Sequence, residues 1–492
     1  MTRLPQLLTI SALLCFSGLP GGAQSAKTAT PSADTLQRIA KIESCLPPPV
    51  IVAGDAVPCS TLAQQMTELH VPGVSVAVVH NGKIEWARGY GVQELGGKPV
   101  TEETRFQAGS ISKPVAAMAA LHLVQEGRLS LDADVNTELT SWKVPASAAA
   151  PGATVTLREL LTHTAGFTVH GFPGYAKDAP VPTLVQVLNG EKPANTDPIR
   201  LESVPGSKWN YSGGGYTVMQ EMVVDVAKEP FPHLLHDTVL VPTGMTHSGY
   251  DQPLPEQFQA SAATPYEVDE KAVQGGAHTY PEMAAAGLWT TPSDLARYVI
   301  EVQESLQDKA NHVLSRELTQ QMLTPGKGDW GLGLQIGGSA ANPYFSHGGV
   351  NAGFESLFVA YEHGGVGAVV MTNAQGGSRL ADELMRSIAV AYGWPDYQPV
   401  TRTAIKADPA VLSRLVGVYQ LAPNFTLTFT LDGNQLYVQG TGQTKLETFP
   451  ESPTKVFLKI VDAEGEFFAD DKGQVQYLVW HQNGHDTKGM KQ

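Results

Sequence analysis

Strand-like segments at both ends of the main body of this sequence constrain its fold more than any other feature. Near the start, residues 74–80 and 83–89 flank Asn81-Gly82, a pair that favours a tight turn between antiparallel strands. Near the end, residues 354–361 and 366–372 form a second pair of strand-like segments. Helical patterns lie between the two pairs, so we predict an α+β fold in which helices flank an antiparallel β-sheet.

The other predicted elements of this body follow from apolar periodicity and turn residues. Helices are predicted over residues 61–69, 114–126, 157–162 and 379–392, and further strands over residues 330–336 and 344–347. Pro114 is tolerated in the first turn of its helix because that turn needs no backbone N–H. Together these elements predict a main domain over residues 61–393.

The last part of the chain has a different pattern. Apolar and polar side chains alternate, or short apolar runs recur, over residues 425–431, 435–439, 456–461, 466–469 and 475–480. Short strands at this spacing are typical of a small barrel or sandwich. We therefore predict a small C-terminal antiparallel β-barrel over residues 409–492, preceded by a proline-containing linker over residues 394–408.

The composition allows a large core and excludes one class of partner. A chain of 492 residues with 42% hydrophobic residues is long enough for two folded units. Its formal net charge is −15, from 48 acidic and 33 basic residues, and it has no run of Lys and Arg. Nucleic acid, which attracts positively charged surfaces, is therefore not an expected partner.

Residues 1–26 have the pattern of a signal peptide. Arg3 supplies the positive start, residues 7–16 the apolar run, and Ala23-Gln-Ser25 a small-residue cleavage site. The apolar run is shorter than the roughly 20 residues that a membrane-spanning helix needs. We therefore expect export to the periplasm or the exterior, with no membrane span once the signal is removed.

Residues 27–60 are interpreted as an N-terminal extension. Residues 27–34 are small and polar and predict an unstructured lead-in. Cys45 and Cys59 flank a short, proline-rich loop. In an exported protein, two such cysteines favour a disulfide, which we predict here.

Ser110 and Lys113 stand three positions apart where the predicted helix over residues 114–126 begins, so a shared first turn puts them on one face. A Ser hydroxyl is a poor nucleophile unless a base removes its proton, and a Lys whose charged form is disfavoured can do this. The alternative is a helix-capping serine and a solvated lysine. The same spacing recurs at Ser452 and Lys455, where no helical pattern follows.

Two glycine-rich segments offer the other groups that such a nucleophile needs. Tyr211 lies in the segment 205–216 and is a candidate second base or proton relay, although in isolation an ordinary packing aromatic is the favoured interpretation. His347 precedes Gly348-Gly349, and glycines in a strand let a ligand or another backbone approach closely. A structural histidine is the alternative interpretation of His347.

Other candidate residues carry weaker signals. His233 and His236 have the helical spacing of a metal pair, but the sequence offers no third ligand nearby, so we interpret them as surface or packing residues. We predict no metal site and no cofactor. Trp289 and Trp330 fit either a substrate cleft or the core, and the core is favoured.

Five ordered segments together resemble a known superfamily. They are residues 106–113, 160–166, 211–216, 286–295 and 347–349. In this order they are similar to the serine β-lactamase and penicillin-binding-protein superfamily, in its class C-like branch, over about residues 71–392. The tail after residue 409 resembles the lipocalin-like barrel that some D-aminopeptidase-like members carry.

The resemblance implies a role for each site residue. Ser110 would be the acylated nucleophile, Lys113 its proton partner, and Tyr211 the base or relay. The backbone N–H groups of Ser110 and Val350 would form the oxyanion hole. His347, with the glycines at 348 and 349, would orient the substrate, and His163 would be structural.

Two departures from the family pattern affect the expected substrate. His347 stands where β-lactamases of this branch carry a Lys-Thr-Gly motif, and Gly213 stands where many relatives have an Asn whose amide contacts the substrate. We therefore expect an exported serine hydrolase that cleaves amide bonds, most of all a peptidase of the penicillin-binding-protein or D-aminopeptidase type.

The alternatives are a carboxylesterase or β-lactamase of the same fold, and a non-catalytic binder of cell-wall peptides or penicillin. The expected substrates are accordingly small peptides, esters or β-lactams. The C-terminal barrel is a candidate surface for oligomerisation.

Overall fold

The computed structural model describes residues 31–482 and 484–492. The predicted signal peptide, residues 1–26, lies outside the described residues. The helices are α1 Ala33–Ser44, α2 Leu62–Glu68, α3 Ser112–Gln125, α4 Val135–Glu138, α5 Leu157–Leu161, α6 Leu184–Asn189, α7 Gly213–Ala227, α8 Phe231–Leu235, α9 Glu256–Gln259, α10 Met283–Ala286, α11 Pro292–Leu306, α12 Arg316–Leu323, α13 Gly377–Tyr392 and α14 Pro409–Leu415.

Strands fall into an early, a middle and a late group. The strands are β1 Val50–Val52, β2 Gly73–His80, β3 Lys83–Gly91, β4 Phe106–Gln107, β5 Trp289–Thr290, β6 Gln335–Ser339, β7 Asn342–Asn351, β8 Phe354–Tyr361, β9 Gly367–Thr372, β10 Val400–Arg402, β11 Gly417–Ala422, β12 Phe425–Asp432, β13 Gln435–Gly440, β14 Lys445–Glu447, β15 Phe449–Ser452, β16 Lys455–Phe457, β17 Ala463–Ala469, β18 Val475–Gln482 and β19 His485–Lys491.

A six-stranded antiparallel sheet in the order β3-β2-β9-β8-β7-β6 forms the centre of the main body. The early strand β2 pairs with the late strand β9, so that Val76 lies opposite Val370. The predicted sheet, built from both ends of the body, is therefore confirmed. The helices between these ends pack around it, which gives the predicted α+β class.

Strand β2 is apolar on both faces because both faces of the sheet are covered. Ala77 and Val79 belong to the larger hydrophobic core, whereas Val76 and Val78 belong to a second core on the other face. Helix α11 contributes to the first core, and helices α1 and α13 to the second. A strand buried on both sides reads as a continuous apolar run, as the early segment does.

Helix α3 is buried on almost all sides in the larger core. It begins at Ser112, two residues before the predicted start, and a 3₁₀ turn over Gly109–Ile111 precedes it. Pro114 occupies its first turn, as predicted. Across residues 31–482 and 484–492, none of the helices has both the length and the apolar character to cross a membrane.

The late strands form a nine-stranded antiparallel sheet in the order β14-β13-β12-β11-β19-β18-β17-β16-β15. Its two edge strands, β14 and β15, are separated in sequence by Thr448 alone, so the chain itself brings the edges together. The result is the predicted C-terminal barrel, nearly closed. Its interior holds edge-to-face aromatic pairs, with the ring centroids of Phe429 and Phe467 5.0 Å apart.

The N-terminal extension is more ordered than its sequence indicates. Helix α1 begins at Ala33 and buries Ile39 and Ile42, so the prediction of an unstructured lead-in is wrong for its last residues. The helix was missed because only a few apolar residues mark its buried face. Cys45 and Cys59 are joined by the predicted disulfide.

Strand β1 lies in the loop that this disulfide closes, and it pairs in parallel with β10 of the predicted linker. Val50 and Val52 also pack against Phe457 of the barrel. The predicted linker is therefore partly a strand, and the extension contacts both the body and the barrel. The boundaries at residues 60, 393 and 408 stay predictions.

Two strand predictions were misplaced. Residues 330–334 form a turn, and β6 begins only at Gln335, because Gly331 donates its N–H to the carbonyl of Leu334 and Gly333 has a φ of +100°. In the barrel, the strand predicted over residues 456–461 ends at Phe457. Turn geometry, rather than side-chain pattern, decides both cases.

Candidate active site

Ser110 lies in the 3₁₀ turn that leads into α3, and its neighbour Ser112 fixes this turn. The Ser112 hydroxyl donates to the carbonyl of Gly109 at 2.6 Å and accepts from the N–H of Leu288 at 2.9 Å. The hydroxyl of Tyr250 donates to the carbonyl of Ser112 at 2.7 Å. The turn therefore presents the Ser110 hydroxyl at the N-terminal end of a buried helix.

Lys113 reaches back to Ser110 from the first turn of α3. Its Nζ donates to Ser110 Oγ at 2.9 Å and to the carbonyl oxygen of Ala285 at 2.8 Å. The residue is only 2% exposed, and burial lowers the pKa of the amine to about 7. A large fraction of Lys113 is therefore neutral near pH 7, the form that can accept a proton from a hydroxyl.

Tyr211 meets the same hydroxyl from a distant part of the chain. Lys113 Nζ, which bonds to Ser110 Oγ, lies 5.0 Å from the centroid of the Tyr211 ring. Burial raises the pKa of the phenol, and the nearby Ser110 hydroxyl opposes part of that rise. The structure thus brings the predicted alcohol, amine and phenol together.

His163 accepts hydrogen bonds from the backbone on both sides of Tyr211 in the sequence. Its carbonyl accepts the N–H of Asn210 at 2.8 Å, and its Nδ1 accepts the N–H of Ser212 at 3.1 Å. The His163 and Tyr211 rings are 4.2 Å apart between centroids. Burial, and then the proximity of the titratable groups of Lys113 and His347, hold the pKa of His163 well below its ordinary value. His163 is therefore a neutral support for Tyr211.

The glycine-rich end of β7 forms the other side of the site. Strand β6 pairs with β7 only as far as Ser346, so the last residues of β7 present a free edge to the turn that carries Ser110. A Cβ atom on Gly109 would lie 2.5 Å from the backbone nitrogen of Val350, and one on Gly349 would overlap the carbonyl of Ala108. Backbone thus approaches backbone where side chains would not fit.

The hairpin geometry directs the N–H of Val350 toward this edge. Only two residues connect β7 to β8, so the closing pair, Asn351 and Phe354, is the hydrogen-bonded one. Val350 lies opposite Glu355 in the next pair, which is not hydrogen-bonded. Its N–H therefore points away from β8, to the side on which Ser110 lies.

His347 is buried and neutral. It is 3% exposed, and its Nδ1–H donates to the carbonyl of Gly348 at 2.5 Å. Burial, with a contribution from the charge of Lys113, lowers its pKa to about 3. In the part of the chain that the structure describes, its Nε2 is buried and has no hydrogen-bond partner. His347 can therefore offer an acceptor, but not a positive charge, at neutral pH.

Trp330 is both a core residue and a wall of the site. It is buried, and its ring lies 5.1 Å from His163, 5.8 Å from Tyr211 and 5.4 Å from His347 between centroids. Trp289, in contrast, packs in the core against Phe354 at 5.7 Å. The choice between core and cleft that the sequence posed therefore has a different answer for each tryptophan.

His233 and His236 lie away from this cluster, with side chains that are 71% and 58% exposed. Each pairs with a nearby acidic residue, Glu229 or Asp237. Their arrangement agrees with the interpretation of surface histidines.

Three contributors to the site escaped the sequence analysis. The carbonyl of Ala285 is a backbone acceptor, and no side-chain pattern reveals it. Asn351 donates its amide to Gln107 Oε1 at 2.9 Å and to the carbonyl of Ala286 at 3.0 Å, which ties β7 to α10. Phe172 lies against Gly213 at the start of α7, although the two residues are 41 positions apart in sequence.

Comparisons with known proteins agree with this geometry. Residues 60–392 match the family described as Beta-lactamase, and residues 401–491 match a second family described as a domain of unknown function, DUF3471. Because the first match covers more than half of the sequence, the chain belongs to the beta-lactamase family. At the level of the family, it is therefore a serine hydrolase that acts on amide bonds.

Individual relatives are distant in sequence. Penicillin-binding protein 4* of Bacillus subtilis (strain 168) is 22% identical over 457 residues, which cover 88% of this chain and 97% of the relative. The octameric penicillin-binding protein homologue from Pyrococcus abyssi superposes with a TM-score of 0.58 at 22% identity, over 87% of this chain and 98% of that one.

A third comparison covers mainly the body. The D-alanine carboxypeptidase AmpC from Burkholderia cenocepacia has a TM-score of 0.52 at 21% identity, over 66% of this chain and 96% of that one. At these identities the structural likeness shows the fold.

Proposed function

We propose that the protein is an exported serine peptidase that opens an amide bond through an acyl-Ser110 intermediate. Ser110 Oγ attacks the carbonyl carbon while its proton passes to the neutral amine of Lys113, directly or through Tyr211. The proton then reaches the leaving nitrogen as the C–N bond breaks, and the amine product departs. A water molecule, deprotonated in the same way, adds to the ester, restores the Ser110 hydroxyl and releases the acid.

The observation that carries this proposal is the hydrogen bond from Lys113 Nζ to Ser110 Oγ inside a buried site. A solvated lysine would stay charged and would be a poor proton acceptor. Burial brings the pKa of Lys113 to about 7, so the base is matched to neutral pH. Tyr211 supplies a second hydroxyl at the same oxygen.

The substrate carbonyl would lie between Ser110 and the free edge of β7. Its developing oxyanion would accept hydrogen bonds from the N–H groups of Ser110, at the helix start, and Val350, in β7, because two such donors stabilise the charge. Gly348 would leave room for the substrate backbone beside His347, whereas Gly349 lets β7 approach the backbone of Ala108. These roles rest on the approach of Gly109 to Val350 described above.

The neutral His347 favours an amide substrate over one held by its carboxylate. With Nδ1 donating to its own neighbour, the ring offers the Nε2 lone pair, which pairs with an N–H donor. A lysine at this position would instead attract a carboxylate. The names of relatives, penicillin-binding proteins and a D-alanine carboxypeptidase, also favour peptide amides. Peptides therefore rank above esters and β-lactams as substrates.

Export to the periplasm or the exterior is part of the proposal. It rests on the signal-peptide pattern of residues 1–26 and on the disulfide between Cys45 and Cys59, since disulfides persist in oxidising compartments. Assembly through the C-terminal barrel is proposed as well, because the relative from Pyrococcus abyssi is described as octameric.

Covalent labelling tests the nucleophile. A fluorescent fluorophosphonate and a fluorescent penicillin are each incubated with the protein, and the adduct is located by peptide mass spectrometry. We expect one adduct, on Ser110, which is absent in Ser110→Ala. The matched control is Ser452→Ala, which removes the serine of the other Ser-x-x-Lys segment and should keep the label. Failure of both probes to label the protein would instead favour a non-catalytic binder.

A substrate panel tests the acyl group. Rates are compared for nitrocefin, p-nitrophenyl esters, D-amino-acid amides and linear peptides. We expect turnover of at least one amide or peptide with kcat/KM above that of nitrocefin. If nitrocefin is hydrolysed far faster than every peptide and amide, the enzyme is a β-lactamase and the peptidase assignment fails.

A further inference from the structure

Gly213 is a glycine because a neighbouring side chain fills the space beside it. It begins α7, and its φ lies outside the left-handed range that favours glycine, so its backbone would accept any residue. A Cβ atom there would lie 2.8 Å from Cε2 of Phe172 and 3.3 Å from the carbonyl oxygen of His170. Real Cβ atoms do not approach an aromatic carbon so closely, so a side chain at position 213 requires the Phe172 ring to move.

The segment that carries this ring, residues 168–172, is fastened to the start of α7. Gly214 donates its N–H to the carbonyl of Val169 at 2.8 Å, and the hydroxyl of Ser212 donates to the carbonyl of Thr168 at 3.1 Å. His170 Nδ1–H donates to the carbonyl of Tyr211 at 2.5 Å. The segment is therefore bonded directly to the residue that meets Ser110.

Val169 has a φ of +62°, which a β-branched residue rarely adopts. Its surroundings hold it there, since its carbonyl accepts the N–H of Gly214. Strained backbone of this kind persists only where the contacts around it fix it, and it clusters near functional sites. The strain thus indicates that the contacts around Val169 fix the backbone at this point of the segment.

The other side of Phe172 is tied to the strand edge of the site. The carbonyl of Pro173 accepts Nδ1–H of His278 at 2.9 Å, and two residues further on the hydroxyl of Tyr280 accepts the N–H of Ala352, in the turn after β7, at 3.2 Å. The segment that carries Phe172 is therefore bonded to Tyr211 on one side and, through His278 and Tyr280, connected to the turn after β7 on the other. Its ring is partly exposed, although it packs on the larger core.

We propose that Phe172 forms the subsite for the acyl-group side chain of the substrate, because its ring fills the space beside Gly213, two residues after Tyr211. The proposal rests on the function proposed above, because it names the substrate class of that same acylation. The preferred acyl donors carry an apolar or aromatic side chain beside the reacting carbonyl. An acylamino group gains nothing here, because its polar atoms would lose water against an aromatic ring without an amide partner.

The test compares two activated esters that differ only in the acyl group, p-nitrophenyl 3-phenylpropionate and p-nitrophenyl acetate. We measure the ratio of their kcat/KM values. Phe172→Ala should lower this ratio by about tenfold, because removing an apolar contact to the substrate costs 10- to 200-fold in discrimination. Phe172→Leu, which keeps an apolar contact, should retain most of the ratio.

The matched control is Phe468→Ala. Phe468 is also a half-buried phenylalanine, stacked on Tyr477 in the barrel at 4.8 Å. Its removal should leave the ratio of the two esters at the wild-type value. A ratio that Phe172→Ala does not change, in a protein that still forms the fluorophosphonate adduct, overturns the subsite. Loss of the adduct from the wild-type protein would instead overturn the proposed function.

A second pair of variants tests directly whether a side chain at position 213 competes with the Phe172 ring for the same space. Gly213→Asn alone should displace the Phe172 ring and lower the ratio of the two esters, as Phe172→Ala does. In the double variant Phe172→Ala with Gly213→Asn, the space is free, and kcat/KM for N-acetylglycine p-nitrophenyl ester should rise at least about threefold above that of Phe172→Ala. If Gly213→Asn leaves the ratio unchanged while Phe172 is present, the ring does not define the subsite.

Discussion

The chain contains two Ser-x-x-Lys segments, and their surroundings give the two lysines opposite properties. Lys113 lies in a helix, is 2% exposed and donates to Ser110 and a carbonyl. Lys455 lies in β16, where it is paired across a tight turn with Ser452. Spacing is the same in both cases, but only the first places the lysine in the core.

The partners of the two amines explain the difference. Lys455 Nζ lies 3.1 Å from Glu464 and 3.3 Å from Glu466, and its side chain is 35% exposed. The hydrogen bond to Glu464 raises the pKa of Lys455, whereas burial lowers that of Lys113 to about 7. A carboxylate partner keeps a lysine charged, and burial without one releases its proton. The Ser-x-x-Lys spacing therefore indicates a catalytic lysine only where the fold buries that lysine without a carboxylate partner.

Replacing each lysine by methionine is the strongest way to test this contrast. Lys113→Met removes the proton acceptor, and general-base catalysis contributes about 10²–10⁴-fold, so we expect kcat/KM on the best substrate to fall by about 10³-fold. Lys455→Met should stay within about twofold of wild type, which is the ordinary range for a surface substitution. Equal losses in the two variants would refute a special role for the buried lysine.

The aromatic surroundings of the first segment give the next largest effect. His163→Ala removes the ring and the Nδ1 acceptor that hold Tyr211, and small misplacements of a catalytic group cost up to about 10²-fold. We expect kcat to fall by about 10- to 100-fold with little change in KM. The exposed His233 provides the control variant, His233→Ala. A change confined to KM would show that His163 acts on substrate binding instead.

The pH profile of kcat/KM should report the pKa of Lys113. The neutral amine is the active form, so activity rises with pH and levels off above the pKa, near pH 7. Well below pH 7 we expect a loss approaching about tenfold per pH unit. Lys455→Met should show the same profile as wild type. A flat profile between about pH 5.5 and 8 would contradict a proton acceptor with a pKa near 7.

The two lysines should have opposite effects on thermal stability at pH 7. The pKa of Lys113 is lower in the folded protein than the value near 10.4 in the unfolded chain, so the unfolded state binds more protons between about pH 7 and 10. Stability therefore rises with pH through this window, and Lys113→Met should lose that dependence and raise Tm at pH 7 by roughly 2–4 °C.

The raised pKa of Lys455 has the reverse sign. Its contribution is present at pH 7 and is lost only as the pH rises through its folded value. Lys455→Met should therefore lower Tm at pH 7 slightly, and 0.5 M NaCl should shrink the change, because salt screens exposed ion pairs. Scanning calorimetry of both variants at pH 7 and 9 checks both signs, and a fall in Tm for Lys113→Met would contradict the first.

Much of this site could be predicted from sequence because it uses local patterns. Ser110 and Lys113 are close in the chain, and one helical turn brings them together. The strands around Asn81-Gly82 follow from a turn signal with a definite backbone requirement. The glycine-rich loop made Tyr211 only a candidate, and the resemblance to a superfamily was needed to predict its convergence on Ser110.

The parts that were missed depend on backbone or on space. The carbonyl of Ala285 holds Lys113, and carbonyls are present at every residue, so no pattern marks this one. Gly213 could be identified as a departure, but the reason for it, the ring of Phe172, lies 41 positions earlier and meets it only through folding. The turn at residues 330–334 was misread because the glycines at 331 and 333 interrupt a strand-like run.

Because β1 pairs with β10, neither family match corresponds to a part of the chain that is structurally independent of the residues outside it. Residues 50–52 precede the match over residues 60–392, yet they bind the segment that enters the barrel and contact Phe457. A truncated protein that starts at residue 60 would lose the pairing of β1 with β10 and the contact with Phe457. The disulfide, although it closes only a short loop, thereby helps to position the segment that leads into the C-terminal barrel.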